Sequence, residues 1–370
     1  MKSWVPAYLR CPKCGSSLES IVLDSNDKGE VWSGVLVCCT SECQSWYPVV
    51  HGIPRMLPEA LRSEITQQFA HEYGAALAAR GLMDYQASDA EVDSLQGLKQ
   101  QTMQNFGFEW IEYARFGWDD VTYSLQYEES VFRRKSLLSP TDISGKLVLD
   151  AGCGNGRYTY WANQYGGRVI GIDLGEGVES ASRNTTDLAN VQIVQADIFN
   201  LPFANGTFDV IFSIGVLMHT GDAHKATACL SQKLKPGGSL TVHMYGKGNP
   251  IYEFVDRILR DKTTRMSIPD LQVLTAKAFR LRQRLDRYRL ANMVNRFIRL
   301  GPHPHIIFDW YAAPIASHHT YTETKMWFAQ LDLTVNSTNE EKTKPHVLKR
   351  LLRPLVGGQP TVTVKGVSKL

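Results

Sequence analysis

Apolar and polar positions change period several times along the chain, and each change marks a different kind of element. Residues 147–173, "LVLDAGCGNGRYTYWANQYGGRVIGID", run from a continuous apolar stretch through a glycine turn and an amphipathic segment into a second continuous apolar stretch. Strands apolar on both faces belong to parallel sheets covered by helices, so this is a βαβ unit. Further apolar runs at "NVQIVQADIF", "FDVIFSIGVLMH" and, after the turn "LKPGG", "SLTVHMYG" continue the alternation. Such alternation predicts an α/β, doubly wound, Rossmann-like sheet. "LTVNSTN" and "PTVTVKGVSK" predict an antiparallel pair that closes it.

Two other stretches have helical periods. From Glu59 to about Asp142, segments such as "LRSEITQQFAHEYGAALAARG" space apolar residues three and four apart. The aromatic-rich "NFGFEWIEYARFGW" in this extension supplies either core side chains or a lid over a ligand pocket. Residues 247–305 form a helical insertion, and residues 255–300 hold twelve Lys/Arg against four Asp/Glu. This basic pattern reads as a solvated face or as a substrate cap whose arginines clamp a phosphate or carboxylate. The expected organisation is therefore 1–60, a small cysteine-bearing domain; 61–140, the helical aromatic-rich extension; 141–246, the sheet core; 247–305, the cap; and 306–370, a helix and antiparallel strands that complete the core.

Length and composition agree with several units. The 370 residues exceed one ordinary core, and 43% hydrophobic with 21% charged residues is a globular composition. A net charge of +3 is too small to argue for nucleic acid or membrane from the whole-chain balance. The start lacks a signal-peptide run and no stretch of about 18 apolar residues is present, so a cytoplasmic protein with no membrane partner is expected.

Five of the seven cysteines lie in the first 43 residues. Cys11 and Cys14 sit in a C-x-x-C-G knuckle, and Cys38 with Cys43 forms a second pair one hairpin away. Four thiolates so arranged suit a closed, structural tetrahedral Zn²⁺ site, with Cys39 the rival of Cys38 as ligand. The alternative is a set of buried thiols. With "YPVVHGIPRMLP" downstream, residues 6 to 60 resemble the zinc ribbon of the small activator subunit that partners tRNA and protein methyltransferases, although the second knuckle is one residue longer and carries a doubled cysteine.

The turn after the first core strand carries Gly152, Gly154 and Gly156, which bring backbone close to a ligand and open a helix toward it. A dinucleotide fingerprint needs a third glycine at 157, where Arg157 stands. Asp150 before the turn would repel a pyrophosphate and attract an ammonium, which favours S-adenosylmethionine. Asp173 ends the second strand, placed for two ribose hydroxyls, and Asp197 follows the third, placed for an adenine amino group.

The set "VLDAGCGNGRY", "VIGIDL", "QADIFNLPF", "FDVIFSIGVLMHT" and "LKPGGSL" resembles the class I S-adenosylmethionine-dependent methyltransferases, especially the ubiquinone-biosynthesis branch, over about residues 140 to 245. The resemblance implies cofactor contacts from Gly152, Cys153 and Gly154 in the first turn, from Asp173 and Leu174, from Asp197 and Ile198, and from Ser213 and Ile214 at the fourth strand end. It says little about the acceptor. His219 in "VLMHTGD" would lie near the methyl group and is the first candidate base. His318 and His319 precede a Thr320-x-x-Glu323 capping box, where the helix dipole keeps a histidine neutral, and are the second. A small-molecule acceptor, anionic if the basic cap grips it, with O-methylation favoured, is the leading expectation. The rivals are an RNA or translation-factor methyltransferase and a non-catalytic scaffold; nucleic acid is not favoured.

Overall fold

The computed structural model describes residues 1–61, 64–82, 94–118, 124–340 and 361–369, so parts of the expected 61–140 extension and of the 306–370 tail lie outside the described residues. The first four strands are β1 (Leu18–Ser25), β2 (Val31–Cys38), β3 (Trp46–Val50) and β4 (Ile53–Met56), an antiparallel meander. His51 and Gly52 both take positive φ, 51° and 77°, which lets two residues close the last hairpin. Helices α1 (Glu64–Glu72) and α2 (Gly74–Ala78) lay Phe69 and Leu77 on Val35, Trp46 and Val50. Then come α3 (Ser94–Glu112), α4 (Leu125–Ser136) and the short α5 (Pro140–Ile143).

The core alternates as its pattern predicts: β5 (Leu147–Ala151), α6 (Arg157–Gln164), β6 (Arg168–Asp173), α7 (Gly177–Thr185), β7 (Val191–Ala196), β8 (Phe208–Ile214), α8 (Ala223–Ser231) and β9 (Leu234–Tyr245). All five strands pair in parallel. In the insertion, α9 (Pro250–Thr263), α10 (Ile268–Arg287) and α11 (Ala291–Val294) precede α12 (Pro304–Ala312). Three of these helices begin with a side-chain cap and a proline in the first turn: Asn249 before Pro250, Ser267 before Pro269 and His303 before Pro304. The capping box at Thr320 and Glu323 opens α13 (Tyr321–Gln330). The closing pair is β10 (Leu333–Thr338) and β11 (Thr361–Ser368), with β11 antiparallel to β9.

The amino-terminal meander does not stand apart. The sheet runs β1-β2-β3-β4-β7-β6-β5-β8-β9-β11-β10, eleven strands in one order. Its seam is a short parallel pairing in which Arg55 faces Gln195 and Met56 faces Ala196. Arg55 is 1% exposed, and its guanidinium donates to Gln195 Oε1 at 3.3 Å and to Glu179. Leu9, Leu36 and Met56 share one apolar core with Leu147, Leu201 and Phe203. A segment with too little apolar area for its own core thus borrows that of its neighbour.

Candidate active site

A cavity of about 840 Å³, counting its open mouth, lies at the carboxyl ends of β5, β6, β7 and β8. This is the crevice that an open parallel sheet offers to ligands. Its wall includes Gly152, Asp173, Leu174, Asp197, Ile198 and Ile214. Gly152 has φ of 88°, and a Cβ there would stand 2.2 Å from Val216, so no side chain fits.

Asp173 accepts from the backbone N–H groups of Gly154 at 2.9 Å and Gly175 at 3.1 Å, which holds its carboxylate at the cavity edge. Burial pushes its pKa up. Asp197 caps a turn of 3-10 helix, accepting from Phe199 N at 3.1 Å and Asn200 Nδ2 at 3.0 Å, with Lys99 Nζ 3.9 Å away. It caps a turn and lines the cavity at once.

Five positions expected to touch the cofactor are not in the lining: Asp150, Cys153, Gly154, Gly156 and Ser213. Asp150 is 1% exposed and accepts from Thr159 Oγ1 at 2.6 Å, turned into the fold and away from any ammonium. Burial raises its pKa to about 7. Ser213 donates to Ala151 O at 2.7 Å, within the sheet. Gly154 carries the Trp110 ring: a Cβ would come 2.7 Å from it, so this glycine admits an aromatic side chain of α3. Gly156 does the same for Ala181 of α7, where a Cβ would lie 3.2 Å away.

The other half of the cavity is built by helices. Lys99, Thr102, Phe106 and Trp110 come from α3, His219 and Thr220 from the turn after β8, and Asp309 from α12. The aromatic extension thus lines a pocket with two of its rings. His219 is 6% exposed; its Nδ1 lies 2.6 Å from Ile315 O and its Nε2 has no partner among the described residues. A carbonyl can only accept, so Nδ1 carries the proton and Nε2 offers a lone pair. Burial lowers the His219 pKa to about 3, which keeps the ring neutral. Tyr245, whose ring is 5.3 Å from that of His219, also has a buried hydroxyl with no partner among the described residues.

Asp309 and Tyr245 were not singled out from the sequence. An acid inside the apolar run "IIFDWY" was the available signal for Asp309. Burial raises the Asp309 pKa, as it does that of fully buried Glu109, whose Oε1 lies 2.8 Å from His305 Nε2.

Neither His318 nor His319 lines this cavity, which corrects their expected place beside the acceptor. His319 Nε2 pairs with Ser317 Oγ at 2.7 Å, and its ring packs edge-on to Trp327. His318 Nδ1 meets Glu253 Oε2 at 2.6 Å in a separate open cleft. The expected cap also differs: no residue of the 247–305 insertion is in the cavity lining, and buried Arg260 binds the carbonyls of Trp310 and Ala313.

At the amino-terminal meander, Sγ atoms of Cys11, Cys14, Cys38 and Cys43 all lie within 4.8 Å of one another. Cys11 to Cys43 is 3.7 Å and Cys14 to Cys38 is 3.4 Å, close to the roughly 3.8 Å that four tetrahedral Zn–S bonds impose. Cys39 is exposed and outside the group.

Residues 149–242 match the family described as Methyltransferase domain. The chain is similar to the demethylmenaquinone methyltransferase of Staphylococcus saprophyticus, 32% identical over 129 residues, which make up 33% of this chain and 55% of that protein. It is similar to the ubiquinone biosynthesis O-methyltransferase of Nitrosococcus oceani, 30% identical over 133 residues, 35% of this chain and 56% of that one. A third relative is the tRNA U34 carboxymethyltransferase of Desulfotalea psychrophila, 31% identical over 111 residues, 28% of this chain and 34% of that one. The chain thus spans between about a third and just over half the length of these relatives.

Proposed function

We propose that the chain is an S-adenosylmethionine-dependent methyltransferase that methylates a hydroxyl of a small molecule. The observation that carries this reading is one cavity with two Asp-bearing strand tips at one end and an unpartnered, neutral His219 Nε2 at the other. Asp173 would accept from the ribose hydroxyls, Asp197 would meet the adenine edge, and Gly152 leaves room for the backbone to approach. Bound there, the cofactor supplies an already activated methyl group.

The protein's share is alignment and exclusion of water. His219 Nε2 accepts a hydrogen bond from the acceptor hydroxyl and so aims an oxygen lone pair at the methyl carbon. Methylation of that oxygen, with the donor's S–CH3 bond broken and a neutral thioether released, would leave the oxygen an oxonium, a far stronger acid than an imidazolium. A base with a pKa near 3 therefore still takes the proton. Phe106 and Trp110 wall the site with apolar surface, which suits an acceptor that is itself largely apolar.

The four-cysteine group would hold one structural Zn²⁺ that secures the meander. Calorimetry with S-adenosylhomocysteine tests the main reading: saturable binding is expected, and no heat at any concentration refutes it. Elemental analysis tests the metal. One zinc per chain is expected, lost in Cys38→Ser and kept in Cys39→Ser.

A further inference from the structure

The modest net charge of the whole chain hides an uneven surface. Ten of the seventeen exposed large apolar side chains among the described residues fall between Ile251 and Met293. The same stretch holds ten Lys/Arg against five Asp/Glu. Scattered single apolar residues need no explanation, but a concentration rimmed by charge marks a contact surface.

On α10 the two properties share one side. Leu271 and Thr275 are buried. Leu274, Leu281 and Tyr288 follow one another at seven-residue intervals along the exposed side, with Leu281 48% and Tyr288 74% exposed. Lys277, Arg280, Arg284 and Arg287 form a neighbouring stripe. The one ion pair on this helix among the described residues is Arg282 to Asp286, at 2.8 Å, so these four cations make none. Beyond the helix end, Leu290 and Met293 are exposed as well.

We propose that this face of α10 docks on the surface of an anionic lipid bilayer. A twenty-residue helix presents a convex edge about 30 Å long, which suits a plane. Leucine and tyrosine side chains enter the boundary of the acyl chains, and the lysine and arginines meet lipid phosphates beside them. RNA offers the phosphates but has no place for aliphatic side chains, since its bases bind by stacking on planar groups. Charge complementarity with an apolar stripe therefore favours lipid. The whole-chain charge gave no ground for a membrane partner; the local pattern revises that expectation, although no described helix is long and apolar enough to cross a membrane. Because α10 packs on α12, which contributes Asp309 to the cavity, docking would hold the cavity near the lipid surface. The proposal does not depend on methyl transfer.

The test is co-sedimentation of the full chain with vesicles of phosphatidylcholine, alone or mixed with phosphatidylglycerol. Binding is expected only with phosphatidylglycerol and should weaken as salt rises. At roughly fivefold per cation, Arg280→Gln with Arg284→Gln should lower partitioning about twenty-fivefold. Leu274→Asp with Leu281→Asp should abolish it. Circular dichroism melts confirm folding of each variant; if the aspartate pair fails to fold, the glutamine pair decides alone. Equal partitioning with and without phosphatidylglycerol, or unchanged partitioning of the glutamine pair, overturns the proposal. So does binding of structured RNA, undiminished by the aspartate pair, with no vesicle binding.

Discussion

The two ends of the cavity are built by different means. At the Asp173 and Asp197 end, every polar group is spoken for: backbone N–H groups hold one carboxylate and a capping turn holds the other. At the His219 end, a buried polar atom, His219 Nε2, is left without a partner among the described residues. A buried group without a partner is costly, which fits the proposal that an acceptor hydroxyl completes this end. The contrast teaches that one end is preorganised by local chain geometry, whereas the other is completed by whatever enters it.

The strongest challenge to this contrast is Asp173→Ala. Loss of two charge-assisted hydrogen bonds, at about 1.5 kcal/mol or more each, should weaken S-adenosylhomocysteine binding by at least about a hundredfold in calorimetry. An unchanged affinity would erase the distinction between the ends. Next comes His219→Asn, which keeps a donor for Ile315 O but removes the lone pair at Nε2. Turnover with a hydroxyl acceptor should fall by about thirtyfold, equivalent to about 2 kcal/mol, with cofactor affinity unchanged. A matching loss of affinity would mean the two ends act as one.

A smaller effect belongs to Asp150→Asn. Burial raises Asp150 from an ordinary 3.8 to about 7, so its protonated form favours the fold. The stability it contributes is full below about pH 4 and is lost as pH rises through about 7. Relative to the asparagine variant, the native chain should therefore lose a few degrees of melting temperature across that window. A flat difference would show that this carboxyl is not held by burial. The smallest effect is expected from His319→Gln, since His319 contacts Ser317 and Trp327 outside the cavity; turnover should stay within about twofold.

What the sequence made legible follows the same division. Glycines at a strand-to-helix turn and acids at strand tips act through bonds between near neighbours, so period and spacing reveal them. The parallel strands, the capping box at Thr320 and the antiparallel closing pair were readable for that reason. Asp309 lies 90 residues beyond His219, and only the packing of α12 brings both to one cavity. The histidines at 318 and 319 show the reverse error: a helix start argues for a neutral ring, but it does not say toward which pocket the ring turns. Spacing likewise did not reveal that the Asp150 carboxylate accepts from Thr159.

The seam between β4 and β7 has one more consequence. β7 is buried on both faces and all six of its residues are apolar or enclosed, which makes it a potent template for stray chains once uncovered. The cysteine-bearing meander occupies that flank and shifts the sheet's open border outward to β1, whose residues are mixed and part-exposed. Edge strands left bare pair with other chains, so a chain shortened past Met56 is expected to self-associate, which size-exclusion chromatography would read.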